Sequence, residues 1–314
     1  RIYLASSLEH WAATFSSAVR MPLCDITPAM PSSVAVIRNP VSGRGKWQSR
    51  WPALEFQLKR IFPTLEVLET TRSGDAARLA IQCVGKGVDL VIAAGGDGTI
   101  SQVGGQLVST PATLGILPCG TGNDLARTLG VGPEIDLALS RLESGVEAVI
   151  DVGEWCSDTA EGFFLNVAGS GFDAAVADKI NSGIQRLHGT PAYFRPEPVL
   201  IEVDDDKFEA TNMLTAIANA RCYGGGMKIA PRASVADGLL DIVLVKKVSK
   251  VAFLRAFPRV FKGEHLSHPA VTYRQAQKIT LTSAGIRPFL IDGELIAARQ
   301  VTLGIRPQSL KVRV

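Results

Sequence analysis

Short apolar runs alternate with helical patterns along the first half of the chain. From residue 34 onward the hydrophobic pattern predicts strands at 34–38, 65–70, 90–94 and 114–118, and helices at 46–62, 75–85, 123–129 and after the third strand. Short, fully apolar strands that alternate with helices indicate a parallel sheet covered on both faces. We therefore predict a doubly wound parallel-sheet α/β domain over residues 34–147.

The pattern becomes β-rich beyond about residue 150. Strand-like runs follow at 163–168, 213–219, 239–245, 278–282 and 301–305. They predict a second, mainly-β domain over residues 148–305, with turns at Asp204–Asp206 and Gly224–Gly226. Residues 306–314 form a C-terminal segment. Residues 1–33 form an N-terminal extension, and its apolar positions recur at helical spacing, which predicts an appended helix.

Composition narrows the class of protein. The chain has 314 residues, 46% hydrophobic and 20% charged, as expected for a folded protein with two domains. A net charge of +3 is too small to favour nucleic acid as a partner. The five cysteines form no Cys-x-x-Cys pair, which favours reduced thiols and a cytoplasmic location. No apolar run reaches the ~18 residues that a membrane span needs, so membrane contact is expected to be peripheral.

Polar, glycine-rich loops follow the strands of the first domain. They comprise 39–46 after the first strand, Thr70 and Thr71 after the second, Gly95–Thr99 after the third and Gly120–Asp124 after the fourth. Each loop alone could be a polar turn or a helix cap. The carboxyl ends of parallel strands lie side by side, however, and helix N-termini favour anions. The loops therefore predict a phosphate site, although they fit neither the P-loop nor the dinucleotide-binding pattern.

From Val34 onward the chain resembles the diacylglycerol kinase catalytic-domain family, which includes bacterial lipid kinases and sphingosine kinases. The matching segments, in chain order, are 39–43, 95–99, 117–124, 166–173, Asn219 with 223–227, 231–241 and 292–294. The resemblance implies an α/β nucleotide-binding domain, a C-terminal β-sandwich domain and an active site in the cleft between them. It also implies that the last segment returns to the first domain.

The resemblance further implies which residues contact ATP. These are Asn39, Ser42, Gly43, Thr70, Gly95, Gly96, Asp97, Gly98, Thr99, Ile100, Ser101 and Thr121. Thr71 is the alternative to Thr70, because the spacing to Gly74 decides which threonine aligns.

Carboxylates are expected to carry the chemistry, because phosphoryl transfer to an alcohol needs positioning, neutralised phosphate charge and a base for the hydroxyl proton. Glu294 is the predicted general base, with Asp292 as its partner or alternate. The predicted magnesium ligands are Asp97, Asp124 and Asp173, with a second site at Ser234, Asp237 and Leu239. The alternatives are a helix-start acid at Asp124 and an Asp-Gly turn at Asp237.

The predicted function is an ATP-dependent, magnesium-dependent lipid kinase that phosphorylates a lipid alcohol. Diacylglycerol, which would give phosphatidic acid, is the favoured acceptor; a sphingoid base, phosphatidylglycerol or another lipid alcohol is the alternative. An NAD kinase, which shares the Gly95–Thr99 turn, is the main alternative. An inert lipid- or nucleotide-binding protein is disfavoured, because the acids are retained. A homodimer is a possible assembly.

The expected partners include a membrane surface as well as ATP and the lipid. The predicted location is the cytoplasm, with transient peripheral contact with the inner membrane face. The basic amphipathic helix at 251–262 has Phe253, Phe257 and Val260 on one side. Such a helix could rest on anionic lipid, but we favour packing on its own domain.

Overall fold

The computed structural model describes residues 30–144, 146–171, 174 and 198–314. The predicted helix in the N-terminal extension falls on residues 1–29, and Asp173 also lies outside the described residues. The first domain contains β1 (Val34–Arg38), α1 (Trp51–Ile61), β2 (Leu65–Glu69), α2 (Asp75–Gly85), β3 (Leu90–Gly95), α3 (Asp97–Leu107), β4 (Thr113–Pro118), α4 (Asp124–Thr128) and α5 (Ile135–Ser144).

The first-domain sheet is parallel, in the order β4–β3–β1–β2. Every residue of β3 and β4 is buried, so both faces of the sheet are covered, as their uniformly apolar sequences require. This order places the carboxyl ends of all four strands along one edge. The loops singled out by their glycines and hydroxyls therefore share that edge.

The second domain is built mainly from long antiparallel strands. They are β5 (Glu147–Ser157), β6 (Glu161–Phe164), β7 (Val167–Gly171), β8 (Pro198–Val203), β9 (Asp206–Ala218), β10 (Leu240–Lys246), β11 (Val271–Ala276), β12 (Lys278–Ile291) and β13 (Glu294–Arg313). Two short helices, α6 (Lys250–Ala256) and α7 (Arg259–Lys262), lie between β10 and β11.

Alternating side chains divide the second domain into two apolar cores. On β10, Ile242 faces the core enclosed by β8, β12 and β13, whereas Val243 faces a core shared with α7. On β9, Ile217 joins the first core, and Ala216 joins the second. The period-2 pattern thus makes both faces of β9 and β10 apolar, one toward the strands and one toward the helices.

The last strand joins the two domains into one continuous sheet. β13 pairs first with β12 and then with β5, and its end, Lys311–Arg313, pairs in parallel with β4. Leu310 and Val312 are buried in the first-domain core. The C-terminal segment therefore supplies a strand to the first domain.

The structure differs from the predicted elements at several places, and α5 was not predicted. The helix predicted at 46–62 begins at Trp51 and has Pro52 in its first turn, where a proline is tolerated because the N–H groups there have no partner within the helix. Gly43 and Arg44 adopt positive φ angles in the turn after β1. The run 163–168 is divided into β6 and β7. The helix predicted at 251–262 breaks at Pro258, which has no N–H to donate, and becomes α6 and α7.

Among the described residues, no helix combines the length and apolar character needed to cross a bilayer.

Candidate active site

The loops after β1, β3 and β4 meet at the start of α3. Ser42 Oγ accepts a hydrogen bond from the Gly96 N–H at 3.3 Å, and Asn39 Nδ2 donates to Thr99 Oγ1 at 3.2 Å. Thr70 follows β2, and its N–H donates to the Arg38 carbonyl at 3.0 Å. The edge of the sheet thus brings together Asn39, Ser42, Gly96 and Thr99, and Thr70 lies at the end of the neighbouring strand β2.

Two of these loops touch through glycine backbones. A Cβ added at Gly120 would lie 2.4 Å from the Gly96 Cα. A Cβ at Gly95 would likewise lie 2.4 Å from the Thr99 Cβ. Contacts this short exclude any side chain, so the glycines here are required by close packing of the loops.

Asp97 connects the starts of α3 and α4. Its two carboxylate oxygens accept the N–H groups of Asp124 at 2.5 Å and Asn123 at 2.8 Å. Asn123 has a φ of 54° and accepts the Gly120 N–H at 2.9 Å through Oδ1. This network sets the N-termini of α3 and α4 side by side, with the Asn123 and Asp124 N–H groups already bonded to the Asp97 carboxylate.

Asp124 reaches across to the second domain. Its carboxylate accepts the N–H groups of Gly225 at 2.9 Å and Gly226 at 2.7 Å. Burial raises the pKa of Asp124, the Gly225 N–H opposes that rise, and the nearby charge of Asp97 adds to it. Asp124 therefore connects the loop 223–227 of the second domain to the loop after β4.

Asp292 also connects the two domains through hydrogen bonds. Its carboxylate accepts the Ser101 hydroxyl of α3 at 2.6 Å and the N–H groups of Leu165, Asn166 and Val167 at 2.6, 3.0 and 3.1 Å. Burial raises the pKa of Asp292, and these four donors oppose the rise. The contacts of Asp292 are those of a positioning residue.

Glu294 has a different environment from Asp292. It is exposed, and its Oε1 accepts one hydrogen bond, from Gln102 Nε2 of α3 at 2.8 Å. The remaining lone pairs are free to accept a proton from a bound hydroxyl. Glu294 therefore remains the predicted base, and Gln102 orients it.

A cavity of about 830 Å³ opens beside these carboxylates. Its lining includes Asp97, Asp124, Asp292 and Glu294. Most of the other lining side chains are apolar and come from the second domain: Val167, Leu214, Met227, Ile229, Val245, Val248, Ala252, Phe253, Ala256, Phe257, Val260, Val271 and Leu290. Thr121, Asn166, Tyr223, His265 and His268 also line the cavity. We call this the apolar cavity. Glu294 also lines a second, more polar cavity of about 1290 Å³ with Ser101 and Gln102.

The side chains of the loop predicted as a second magnesium site make hydrogen bonds within that loop. The Ser234 hydroxyl accepts the Ala236 N–H, and the exposed Asp237 accepts the Leu239 N–H at 3.1 Å. Asp151, buried on β5, accepts the Gly238 N–H at 2.7 Å and the Gln308 N–H at 2.8 Å. In the described part of the chain, no group of three or more His, Cys, Asp or Glu side chains is arranged for a metal.

Some predicted nucleotide-site residues have side chains that face elsewhere. Ile100 is fully buried in the first-domain core, so its side chain does not reach the cleft. Thr99 is also buried and packs beneath Gly95, whereas Thr121 is exposed and lines the apolar cavity with Gly98.

Several residues that the structure brings into the site had no predicted role. Asn123 lay within a recognised motif, but its capping depends on a positive φ that the motif does not reveal. Gln102 falls one turn after Gly98 on α3, which was the available signal. Asp151 had no motif around it.

Two family models match the chain. The diacylglycerol kinase catalytic domain matches residues 33–155, and the YegS C-terminal NAD kinase beta sandwich-like domain matches residues 166–314. These matches confirm the resemblance drawn from the motifs. They correspond to an N-terminal catalytic domain and a C-terminal β-rich domain.

Curated relatives and solved structures agree with these matches. The diacylglycerol kinase of Mycobacterium tuberculosis (strain ATCC 25618 / H37Rv) is 32% identical over 292 residues, which cover 89% of this chain and 94% of the relative. That of Bacillus subtilis (strain 168) is 31% identical over 272 residues, covering 82% and 88%.

A solved structure of a diacylglycerol kinase from Bacillus anthracis str. Sterne aligns with a TM-score of 0.72 at 24% identity, covering 91% of this chain and 98% of that one, and shows the shared fold. A second structure from the same organism aligns with a TM-score of 0.74 at 26% identity, covering 91% and 96%. The chain is a kinase and belongs to the diacylglycerol kinase catalytic-domain family.

Proposed function

We propose that this chain transfers the γ-phosphate of ATP to the hydroxyl of a lipid alcohol, with diacylglycerol as the preferred acceptor and phosphatidic acid as product. The observation that carries the proposal is the composition of the apolar cavity. Four carboxylates and an extended set of aliphatic and aromatic side chains line one continuous space. An acceptor with a reactive hydroxyl and an apolar body fits such a space.

The proposed lipid site follows from the two faces of β9 and β10. One face of β9 and β10 packs against β8, β12 and β13. The other face, which carries Leu214 and Val245, lines the apolar cavity together with α6 and α7. Apolar acyl chains gain about 25 cal/mol for each Å² removed from water. The hydroxyl end of the lipid would then be held near Glu294.

We place ATP on the loops at the carboxyl ends of the first-domain strands. The N-termini of α3 and α4 meet there, and the backbone of Gly98 is exposed with nothing within 4 Å of its missing Cβ. Exposed N–H groups at helix N-termini bind phosphate oxygens. The cleft between the domains is therefore the proposed active site.

Asp97 and Asp124 are the proposed magnesium ligands. Each oxygen of the Asp97 carboxylate accepts one N–H, which leaves lone pairs for a cation, and carboxylate oxygens are the ligands that magnesium prefers. When bound, the ion would neutralise charge on the phosphates of ATP. The loop with Ser234, Asp237 and Leu239 remains a candidate second site.

Glu294 is the proposed general base. Gln102 orients its carboxylate, which would accept the proton of the lipid hydroxyl as that oxygen attacks the γ-phosphorus atom. The bond between the γ-phosphorus atom and the β–γ bridging oxygen would break, and ADP would leave. Asp292 would position Glu294 indirectly, because its carboxylate holds α3 and the start of β7 together beside Glu294. A general base contributes about 10²–10⁴-fold to turnover.

A phosphate-transfer assay with Glu294→Gln tests this role. The variant should lose about 10²–10⁴-fold in turnover of dispersed diacylglycerol, because the amide cannot accept a proton. Glu209→Gln, an exposed glutamate on β9 outside both cavities, is the matched control and should keep full turnover. Turnover by Glu294→Gln close to that of the unmodified chain would exclude Glu294 as the base.

The acceptor is tested by offering diacylglycerol, a sphingoid base and NAD in parallel with labelled ATP. Label in a lipid supports the proposed class, and the relative rates identify the preferred alcohol. The description of the C-terminal domain as NAD kinase-like makes NAD the necessary comparison. Label in NAD and in neither lipid would refute the proposal.

A further inference from the structure

We propose that the outer surface of α6 and α7 docks on an anionic lipid bilayer and holds the apolar cavity against it. We call this surface the docking face, defined by Val251, Arg255, Phe257, Arg259, Phe261 and Lys262. The inference deepens the proposed function, because a kinase whose acceptor is a membrane lipid must reach that lipid from the bilayer.

Large apolar side chains are exposed on the docking face. Val251 is 57% exposed, Phe257 is 39% exposed and Phe261 is 47% exposed. Pro258 ends the first helix and starts the second, and so presents Phe257 at the corner between them. Aromatic and aliphatic side chains at such a position can insert into the boundary between headgroups and acyl chains.

A row of aromatic rings leads from the cavity to this surface. The Phe253 and Phe257 ring centroids are 5.6 Å apart, and the Phe257 and Phe261 centroids are 6.1 Å apart. Phe253 and Phe257 line the apolar cavity, whereas Phe261 does not. The exposed apolar surface is therefore continuous with the proposed lipid site.

The chain segment that forms α6 and α7 carries charge of one sign, and the exposed Glu264 directly follows it. The stretch 246–263 contains six Lys and Arg residues and no Asp or Glu, in a chain whose net charge is only +3. Its exposed cations include Lys246, Lys247, Arg255, Arg259 and Lys262. Within the ranges that the structure describes, none of these five side chains has an ion-pair partner.

Positive charge beside exposed aromatic rings matches an anionic bilayer. Each Lys or Arg near such a surface contributes about 1 kcal/mol of attraction, which falls off within a Debye length. An acidic protein would also attract the cations, but it would not need an aromatic row that leads into an apolar cavity. The bilayer accounts for both features.

Vesicle sedimentation of the full chain tests the proposal without ATP or diacylglycerol. The probes are vesicles of pure phosphatidylcholine and vesicles that also contain phosphatidylglycerol. We expect binding to the anionic vesicles, weakened by salt, and little binding to the neutral ones. Equal partitioning to both vesicle types, or none to either, would overturn the proposal.

Two double variants test the face itself. Arg255→Gln with Arg259→Gln should weaken binding to anionic vesicles about 25-fold, or about fivefold for each charge. Val251→Ser with Phe261→Ser should weaken it about tenfold or more. Phe56→Ser with Arg60→Gln on α1, an exposed aromatic and cation on the first domain, is the matched control and should bind normally. Normal binding by both docking-face variants would exclude this surface.

Diacylglycerol phosphorylation in detergent micelles separates this proposal from the proposed function. None of the four substituted docking-face residues lines the apolar cavity, so the variants should keep activity in micelles while losing vesicle binding. Loss of both at an unchanged melting temperature would overturn a purely docking role. A chain that binds anionic vesicles but phosphorylates no lipid would refute the kinase proposal and leave the docking face standing.

Discussion

Aspartate side chains near the cleft serve as acceptors for the backbone of neighbouring loops. Asp97, Asp124 and Asp292 each accept at least two N–H groups from a different segment of the chain. An ionised carboxylate offers acceptors only, so it suits a position where donors converge. The acids that suggested metal and proton chemistry therefore also hold the loops in place.

Asp124→Asn should lower the free energy of unfolding by about 1–3 kcal/mol, because the amide nitrogen would face a glycine N–H. Urea unfolding followed by tryptophan fluorescence measures the change. The matched control is Asp136→Asn, an exposed acid in the first turn of α5. It should cost about 0.3–1 kcal/mol as a helix-start charge. Equal losses for the two variants would mean that Asp124 is only a helix-start acid.

Asp75, at the start of α2, makes stability depend on pH. Hydrogen bonds from the Thr71 hydroxyl and N–H, with further ones from Arg78 and Arg72, hold the pKa of Asp75 well below its usual range. A depressed pKa in the folded state adds stability above about pH 4 that is lost as the pH falls further.

Asp75→Asn should therefore lower the melting temperature most at neutral pH, and the difference from the unmodified chain should shrink below about pH 4. Melting curves across that range measure it. Asp205→Asn, in an exposed turn, is the control and should show no such convergence. A difference that stays constant with pH would rule out the stabilising ionised form of Asp75.

At the scale of elements, the glycine contacts decide how close the loops after β3 and β4 can come. Gly120→Ala should lower the free energy of unfolding by about 1–3 kcal/mol, because its Cβ would meet the Gly96 backbone rather than a flexible side chain. Gly98→Ala is the matched control. It has open space at its Cβ and should be neutral or slightly stabilising. Chemical denaturation of both variants measures the contrast, and equal stability would contradict the close approach.

Elements with a strong local signal were predictable from the sequence. The strands of the first domain and α2 have apolar runs or helix-end signals, from which the start and end of each element were predicted to within a residue or two. The start of α1 at Trp51 and the break at Pro258 were not predicted. Pro258 has no N–H with which to continue a helix. The proline was visible in the sequence, but the amphipathic pattern across it suggested a single helix.

At the scale of the whole molecule, β13 contributes to both domains. Its last residues pair with β4 on one side and β5 on the other, Val312 is fully buried, and the Arg313 guanidinium donates to the Leu142 carbonyl at 2.7 Å. The first domain therefore depends on residues that follow the entire second domain in the chain.

Deleting residues 311–314 should lower the free energy of unfolding by several kcal/mol, of which lost burial of Val312 accounts for about 2 kcal/mol. The melting temperature measures the loss. Val312→Ala keeps the backbone ladder and should cost about 2 kcal/mol at most. A deletion variant that melts with the unmodified chain would show that the strand adds nothing to the first domain.

Only the part of the candidate site that lies in local sequence motifs was predictable from the sequence. The family and the acids of the cleft followed from segments such as Gly95–Thr99. The apolar cavity did not, because its walls come from β9, β10, α6 and α7, whose residues look like ordinary core positions in the sequence. The role of Asp292 in connecting the two domains could not be predicted either, because the groups that donate hydrogen bonds to it lie more than a hundred residues away in the sequence.

The hydrogen bonds that the Gly225 and Gly226 N–H groups donate to the Asp124 carboxylate have a thermodynamic consequence. Asp124 belongs to a loop proposed for phosphate, and its carboxylate contacts the loop that lines the apolar cavity. A ligand that moves either loop changes the energy of the other, so the two substrates should bind cooperatively. Reciprocity then requires that ATP alter the affinity for lipid by the same factor by which lipid alters the affinity for ATP.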